Sequence, residues 1–334
     1  MTTDPRTQWR ETLAPDEDER FDRYGQELVA LRRAAAGGDA QGRALHTKAH
    51  VCAEATFTVL PTVPEELRVS LFATPGPLRA YVRFSNGVGR RQSDRAPDLR
   101  GLAIKVLGVP GPKLIPGLEG ATTQDFLLIT TPVLAFRTVD EFMAFVRADA
   151  GGPLRVLPRL ISALGVGRAL GLIATLARLP QPRTLASARF FSAAPTKFGP
   201  FAAKYSVAPT GPGGDVRGKG GALHRDDLAA RLRGGDLTYT FRAQLFVDEA
   251  TTPIEDLSVE WPEARAPWVD LATLTIPRVD LDGPEGRAAA ERIEALSFDP
   301  WHATDDLRPI GATMRARKHA YKHSVIARGA AAEP

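Results

Sequence analysis

Residues 237–247 read LTYTFRAQLFV, a stretch in which apolar and polar side chains alternate over most of its length. One face would carry Leu237, Tyr239, Phe241, Ala243, Leu245 and Val247. Alternation with a period of two residues predicts a β-strand with one buried face. The same pattern occurs in VCAEATFTV at 51–59 and again at 79–85. Several strands of this kind predict a sheet that encloses one apolar core.

The other predicted strands and helices indicate the fold class. Short apolar runs predict further strands at 101–107, 126–129, 204–207 and 269–276. Helical segments are expected at 16–36, 139–147, 153–179, 285–296 and 310–328. Strands fill the middle of the chain without regular strand–helix alternation. This order predicts the α+β class, with a mainly antiparallel sheet closed or nearly closed into a barrel.

Composition narrows the class of protein. A chain of 334 residues is long enough to bury a sizeable core without covalent staples. Its one cysteine, Cys52, excludes an internal disulfide and a cysteine-ligated zinc or iron–sulfur site, and predicts a cytoplasmic location. The formal charge of +4 is small and interspersed, so no nucleic-acid partner is expected. We expect no signal peptide, an N-terminal arm with a helix over 1–39, and a single domain over 40–330.

The most apolar stretch, 153–179, contains four arginines and three interior glycines. A membrane-spanning helix needs about 20 residues with few charges. We therefore expect no transmembrane segment here and interpret the stretch as two short amphipathic helices packed on the core. Attachment to a membrane surface is the alternative.

The predicted C-terminal helix carries an unusual set of polar residues. Arg317, Tyr321 and Arg328 lie at positions i, i+4 and i+11 and therefore share one face. A guanidinium within hydrogen-bonding reach stabilises a phenolate. A phenolate is one of the axial ligands of heme iron. The alternative is that these residues form the exposed face of a basic helix.

Four residues near the front of the chain form a second candidate group. Arg43 and His46 lie just before the first predicted strand, and Arg83 and Ser85 share one face of the second. A histidine held by a serine hydroxyl acts as a general base near neutral pH. A structural role is the alternative, and His50 is the second candidate for the base.

The other histidines give weaker evidence of a functional role. His319 and His323 have the i,i+4 spacing of a metal site, but the two neighbouring lysines disfavour a cation. His224 and His302 have no acidic or hydroxyl company that indicates a catalytic group. We interpret both as core or surface residues.

These pieces together resemble the heme catalase superfamily, in particular its short branch of catalase-related proteins. RALHTKA at 43–49 is similar to the distal stretch of catalases, where Arg, two apolar residues and the catalytic His precede a small and a basic residue. VRFSN at 82–86 and DLRGLAIK at 98–105 resemble the family's Val-Arg-Phe-Ser segment and its Asp-x-Arg-Gly-Phe-Ala-Val-Lys block.

The C-terminal part of the resemblance lies in RKHAY at 317–321, which is similar to the proximal Arg-x-x-x-Tyr motif. Arg328 follows seven residues later, and FDP at 298–300 precedes the motif as a Phe-x-Pro segment does in the family. The resemblance covers about residues 40–328.

The resemblance implies a fold and a set of roles. The fold would be an antiparallel β-barrel of about eight strands with surrounding helices, and heme b would bind between the barrel and the C-terminal helix. Tyr321 would be the proximal iron ligand, held as a phenolate by Arg317. His46 would be the distal acid–base residue, positioned by Ser85. Arg43, Arg83 and Arg328 would bind the heme propionates. Asp98 would lie near the access route.

The chain departs from full-length catalases on the distal side. Their Gly-Asn-Asn-Thr-Pro segment corresponds here to TTQDFLL at 122–128, which contains no Asn. Gln124 is the best amide substitute, with Thr122 beside it. Leu45 precedes the distal histidine, where allene oxide synthases carry Thr. The extensions of large catalases are also missing, so a homodimer is expected sooner than their interlocked tetramer.

The resemblance implies a heme-dependent peroxidase or weak catalase that uses hydrogen peroxide or organic hydroperoxides together with an organic reductant. The missing amide favours peroxidase chemistry. Two alternatives stay open, namely a fatty-acid hydroperoxide isomerase or lyase and a heme-binding protein without turnover. A ligand-binding barrel without heme would be the simplest protein with this fold.

Overall fold

The structure is a computed structural model, and it describes residues 4–35, 43, 45–89, 92–150, 152–179, 181–211, 214, 216–218 and 220–334.

Eight antiparallel strands close into a barrel, as predicted. The described residues form nine strands, namely β1 (Ala49–Val59), β2 (Gly76–Asn86), β3 (Arg100–Leu107), β4 (Thr123–Ile129), β5 (Phe190–Phe191), β6 (Thr196–Phe198), β7 (Phe201–Pro209), β8 (Leu237–Leu245) and β9 (Trp268–Ile276), and all except β6 belong to the barrel. Around the barrel the order is β5-β4-β3-β2-β1-β9-β8-β7, and pairing of β7 with β5 closes the ring. Strand β6 adds a hairpin to β7 outside this ring.

The barrel interior is an aromatic core. The alternation of the strands directs Phe57, Phe84, Phe126 and Phe241 inward, where they are almost fully buried. The rings of Phe126 and Phe241 lie 4.8 Å apart at their centroids in an edge-to-face arrangement, which is favourable for aromatic pairs. The same alternation places the polar side chains of β2 and β3 on the outside of the barrel.

Seven α-helices surround the barrel in the described part of the chain. They are α1 (Glu17–Ala35), α2 (Val139–Asp149), α3 (Pro153–Leu164), α4 (Val166–Ala177), α5 (Leu223–Gly234), α6 (Pro284–Ala295) and α7 (Ala312–Arg328). These confirm an α+β protein whose last helix carries the predicted Arg-x-x-x-Tyr motif. No helix among the described residues is both long enough and apolar enough to cross a bilayer.

Helix α1 lies along α7 and is held there by polar contacts. Asp22 lies 2.8 Å from Nε2 of His323, and Arg315 binds Glu17. A Cβ on Gly25 would lie 2.7 Å from the ring of His323, so the two helices approach at a position that needs glycine. Helix α1 is thus packed on α7.

Helix α5 was not predicted from the sequence. Its segment LHRDDLAARLRG is mostly polar, and only Leu228, Ala229 and Leu232 supply buried apolar contacts. At its start the N–H of His224 donates to Asp94 Oδ2 at 2.9 Å. A carboxylate 130 residues away in sequence therefore holds the helix start, which no local pattern shows.

Candidate active site

A cavity of about 550 Å³ lies between the outer face of β2–β4 and helices α1, α2 and α7. Its strand wall includes Ser85, Gly101 and Leu127, and its helix wall includes Phe142 and Tyr321. The volume is typical of pockets that hold a cofactor or a small molecule.

His46 lines the cavity in a tightly held conformation. Its Nδ1 lies 3.1 Å from Ser85 Oγ. Its backbone has φ of 56°, in the left-handed region that side-chain-bearing residues rarely adopt. The His46 N–H donates to the Gly87 carbonyl at 3.0 Å, and the His46 carbonyl accepts from Arg83 Nη2 at 3.0 Å. These bonds on both sides of the residue hold the unfavourable backbone in place.

The electrostatic surroundings keep the His46 imidazole neutral. Burial, reinforced by the nearby Arg83, lowers the pKa of His46 to about 4. At pH 7 the ring is therefore a free base. When Nδ1–H donates to Ser85, Nε2 keeps its lone pair and can accept a proton.

Gly101 on β3 makes room for this imidazole. A Cβ at this position would lie 2.7 Å from His46 Nδ1 and 2.9 Å from Ser85 Oγ. Both separations are too short for van der Waals contact, so the histidine–serine pair needs glycine in the strand beside it.

Three arginines meet at the end of α6, at an edge of the cavity. Arg43, Arg83 and Arg328 surround Glu294 near the end of α6, and we call these four residues the cavity arginine cluster. Arg83 Nε donates to Glu294 Oε2 at 2.7 Å, and Arg43 binds the same carboxylate. Arg43 and Arg328 donate to the Leu296 carbonyl at 2.9 and 3.0 Å.

The cavity arginine cluster has more positive than negative charge. Burial, followed by repulsion from Arg83, lowers the pKa of Arg43 to about 9, and burial also lowers the pKa of Arg328. Guanidinium groups are protonated in proteins, so these shifts indicate charged groups that are held in place at a cost from burial and, second, from repulsion by Arg83. A further anion bound at the cavity would relieve this repulsion.

Tyr321 and Arg317 face the same cavity from α7. Arg317 Nη2 donates to the Tyr321 hydroxyl oxygen at 3.0 Å, and its guanidinium lies 5.3 Å from the centre of the tyrosine ring. A phenol oxygen next to a fixed cation is suited to act as an anionic ligand. Among the described residues no group of three or more His, Cys, Asp or Glu is arranged to hold a metal ion.

Asp98 anchors a loop that forms part of the cavity wall. Its carboxylate accepts from the N–H groups of Gly87 and Val88, each at 3.2 Å, and lies 3.5 Å from Arg100. Burial raises the pKa of Asp98. The carboxyl group thus holds the loop at Gly87 and Val88, and the Gly87 carbonyl in turn accepts from the His46 N–H.

The structure does not bring Thr122 and Gln124 to this cavity. Gln124 shares the face of Phe126 and is buried on the inside of the barrel wall, with its Oε1 3.4 Å from the Thr304 N–H. Thr122 is exposed, and its carbonyl accepts from Val109. Neither is among the described residues that line the cavity, and neither enters the proposal below.

Sequence reasoning missed Glu294 and a second buried polar group. Glu294 lies 211 residues from Arg83, and no local motif indicates that they meet. His302, interpreted above as a residue without acidic neighbours, lies 2.8 Å from Asp125. Lys105 Nζ is 2.9 Å from Asp125 and 2.7 Å from Glu333. We call Lys105, Asp125, His302 and Glu333 the lysine cluster.

The chain is similar to a known protein over most of its length. The chain is 30% identical over 325 residues to a catalase-related peroxidase of Mycolicibacterium paratuberculosis, covering 89% of this chain and 94% of the relative. No protein-family model matches the chain.

Solved catalases share the fold. A fungal catalase matches with a TM-score of 0.67 at 16% identity, over 88% of this chain and 60% of its own length. Catalase A from Saccharomyces cerevisiae matches with a TM-score of 0.66 at 16% identity, over 86% of this chain and 61% of its own length. The present chain therefore spans about 60% of the length of these solved catalases.

The barrel, the helix α7 and these matches define a protein of the catalase superfamily. Within it, the chain belongs to the family of the catalase-related peroxidases.

Proposed function

We propose that the chain is a heme-dependent peroxidase whose active site is the cavity between β2–β4 and α7. The observation that carries the proposal is the convergence of His46 with Ser85, of Tyr321 with Arg317, and of the cavity arginine cluster on one cavity. Catalysis needs such groups to be fixed around a shared reaction space.

The residues fit a heme group. Tyr321 would hold the iron through its phenolate oxygen, which the guanidinium of Arg317 stabilises. The surplus cations of the cavity arginine cluster would bind the propionate carboxylates, and charge-assisted bonds of this kind are strong. The apolar walls, including Leu127 and Phe142, would cover the porphyrin. When bound, the heme supplies the redox chemistry at its iron.

The chain's own residues handle the protons. His46, neutral at pH 7, accepts the proton of the hydroperoxide and returns it to the departing oxygen, acting first as base and then as acid. Ser85 and the space at Gly101 fix the ring that performs this transfer. Arg317 donates a hydrogen bond to the Tyr321 oxygen, the atom that would hold the iron.

The lining favours organic hydroperoxides over hydrogen peroxide. Beyond the residues assigned to the porphyrin, Phe136, Phe145 and Leu176 extend the apolar side of the cavity. This observation also supports a second candidate function, the isomerisation or cleavage of a fatty-acid hydroperoxide. That reaction consumes no reductant, so product analysis with and without an aromatic donor separates the two functions.

The test is peroxide reactivity of the heme-loaded protein and its His46→Ala variant. General acid–base catalysis contributes about 10²–10⁴-fold, so the variant should retain heme and lose reactivity by this factor. His50→Gln is the control, because His50 is buried but does not line the cavity. It should react at the normal rate. Equal rates in the wild type and His46→Ala would refute the role of His46.

A further inference from the structure

One helical hairpin lies in a segment whose arginines have no acidic residue beside them in the sequence. Residues 150–184 contain five arginines and no Asp or Glu. The whole chain carries a formal charge of only +4, so this segment exceeds the net charge of the molecule. The segment forms α3 and α4, joined at Gly165.

The same hairpin exposes apolar side chains. Seven large hydrophobic side chains are exposed in the described part of the chain, and four of them lie here. They are Leu154, Leu157, Val166 and Leu170, with exposed fractions of 93%, 37%, 58% and 50%. Leu154 and Leu157 are three residues apart on α3, and Val166 and Leu170 are four apart on α4. Each pair therefore shares one helix face.

The two helices also have an apolar face that is buried against the protein, so the exposed side chains are additional to those that hold the hairpin in place. On their other faces the helices bury Leu160, Ala169 and Leu172 against a cluster that includes Phe145. The hairpin is thus apolar on two sides, one packed on the protein and one turned outward.

Several arginines accompany the outward apolar side chains. Arg155, Arg159 and Arg178 are exposed. Arg168 is instead paired with Glu141 of α2 and serves the internal packing. Exposed leucines flanked by arginines are the composition of helices that lie in a membrane interface.

We propose that the α3–α4 hairpin is a docking surface for an anionic lipid bilayer. The leucines enter the boundary between headgroups and acyl chains, and the arginines contact lipid phosphates. Charge complementarity selects this occupant. A second copy of the chain would bring the same uncompensated arginines against each other, whereas an anionic bilayer neutralises them.

Docking would place the cavity next to the membrane, because α4 contributes Leu176 to both the hairpin and the cavity wall. The docking does not depend on the peroxidase chemistry, and the two are tested separately.

The experiment is co-sedimentation of the full chain, loaded with heme, with phosphatidylcholine vesicles that contain or lack an equal part of phosphatidylglycerol. Each arginine at an anionic surface contributes about fivefold to binding. Arg155→Gln/Arg178→Gln should therefore reduce binding about 25-fold. Leu154→Ser/Leu170→Ser should also release the protein. Arg10→Gln/Arg79→Gln, which removes the same charge from exposed positions elsewhere, is the matched control and should bind nearly as the wild type does.

Binding only to the anionic vesicles, lost in both hairpin variants and kept in the control, would support the proposal. Absence of binding to anionic vesicles at low salt would overturn it, as would equal losses in the hairpin and control variants.

Light scattering of the protein without vesicles tests self-association. A dimer that Leu154→Ser/Leu170→Ser converts to a monomer would identify the surface as a self-association interface and also overturn the proposal. Turnover of hydrogen peroxide should stay normal in all variants, so a failure here leaves the peroxidase function to its own test.

Discussion

The cavity arginine cluster is a partly buried group of charges and the lysine cluster a buried one, and their charge balance differs. In the lysine cluster two carboxylates, Asp125 and Glu333, face the ammonium of Lys105 and the imidazole of His302. In the cavity arginine cluster the guanidinium groups of Arg43 and Arg83 share the carboxylate of Glu294, and that of Arg328 bonds to backbone carbonyls beside them.

The difference distinguishes a structural group from a binding site. A buried charge costs several kcal/mol of solvation unless partners compensate it. The lysine cluster is compensated from within the chain and needs no ligand. The cavity arginine cluster keeps a surplus of positive charge beside an apolar cavity, which an anionic ligand would compensate. The predictions below test this distinction.

The largest effect on folding is expected in the lysine cluster. Lys105→Met leaves Asp125 and Glu333 buried without their ammonium partner, and breaking a buried pair in this way costs about 3–5 kcal/mol of the free energy of unfolding. Urea unfolding measures this loss.

The matched variant is Arg83→Met in the cavity arginine cluster. It removes one of several cations, so the free energy of unfolding should fall less than in Lys105→Met. Heme affinity should instead fall about tenfold or more, as expected for a charged hydrogen bond worth about 1.5–3 kcal/mol. Equal destabilisation by the two variants, with unchanged heme affinity in Arg83→Met, would remove the distinction between the clusters.

A smaller effect is expected from Gly101→Ala, which adds a methyl group next to the His46 ring. Displacement of a catalytic group by about 1 Å costs up to about 100-fold, so peroxide reactivity should fall about 10–100-fold while heme content stays normal. Stopped-flow mixing with peroxide measures the rate. Gly171→Ala on α4 is the control, since its Cβ would meet open space. A normal rate in Gly101→Ala would show that the ring has more freedom than the structure describes.

The smallest effect is a difference in pH dependence between the two regions. The pKa of His46 is lowered to about 4 in the folded protein. Below about pH 6.5 the unfolded chain therefore binds more protons than the folded protein, and the free energy of unfolding decreases as the pH is lowered. Burial disfavours the charged form of His302, but Asp125 outweighs it and raises the pKa of His302. Its contribution is therefore complete below pH 6.5 and lost as the pH rises through the folded-state value.

Chemical unfolding of single variants across pH separates these contributions. His46→Gln should reduce the acid loss by about 2 kcal/mol at pH 5, with His50 and His224 retaining the rest because burial lowers their pKa values too. His302→Gln should remove a loss on the alkaline side. A reduced acid loss in His302→Gln would contradict the signs assigned here.

The barrel could be predicted because the alternation of apolar and polar residues is visible within each of its long strands. Alternation at 51–59 and 237–247 fixes which side chains enter the core, and the strands appear at those positions. Strand β5 has two residues, too few to show a period, yet it closes the ring by pairing with β4 and β7.

Contacts in the site were predicted where a contiguous motif or the family resemblance indicates them, as for Arg317 with Tyr321 and for His46 with Ser85. Arg317 and Tyr321 lie one helical turn apart, so the sequence alone places them together. Glu294 reaches Arg83 only through the packing of α6 on the barrel, and Gln124 faces inward because of strand register. Such relations depend on tertiary structure, which a pattern in one segment does not contain.

The most direct test of the central claim is heme titration of the wild type, Tyr321→Phe and Tyr24→Phe. Both variants remove one hydroxyl group from a tyrosine that lines the same cavity, but only Tyr321 is assigned to iron. We expect the wild type to bind one heme with a strong absorption band, Tyr24→Phe to match it, and Tyr321→Phe to lose at least about tenfold in affinity, with a changed spectrum. Tyr321→Phe binding heme with wild-type affinity and an unchanged spectrum would contradict the assignment of this cavity as a tyrosine-ligated heme site.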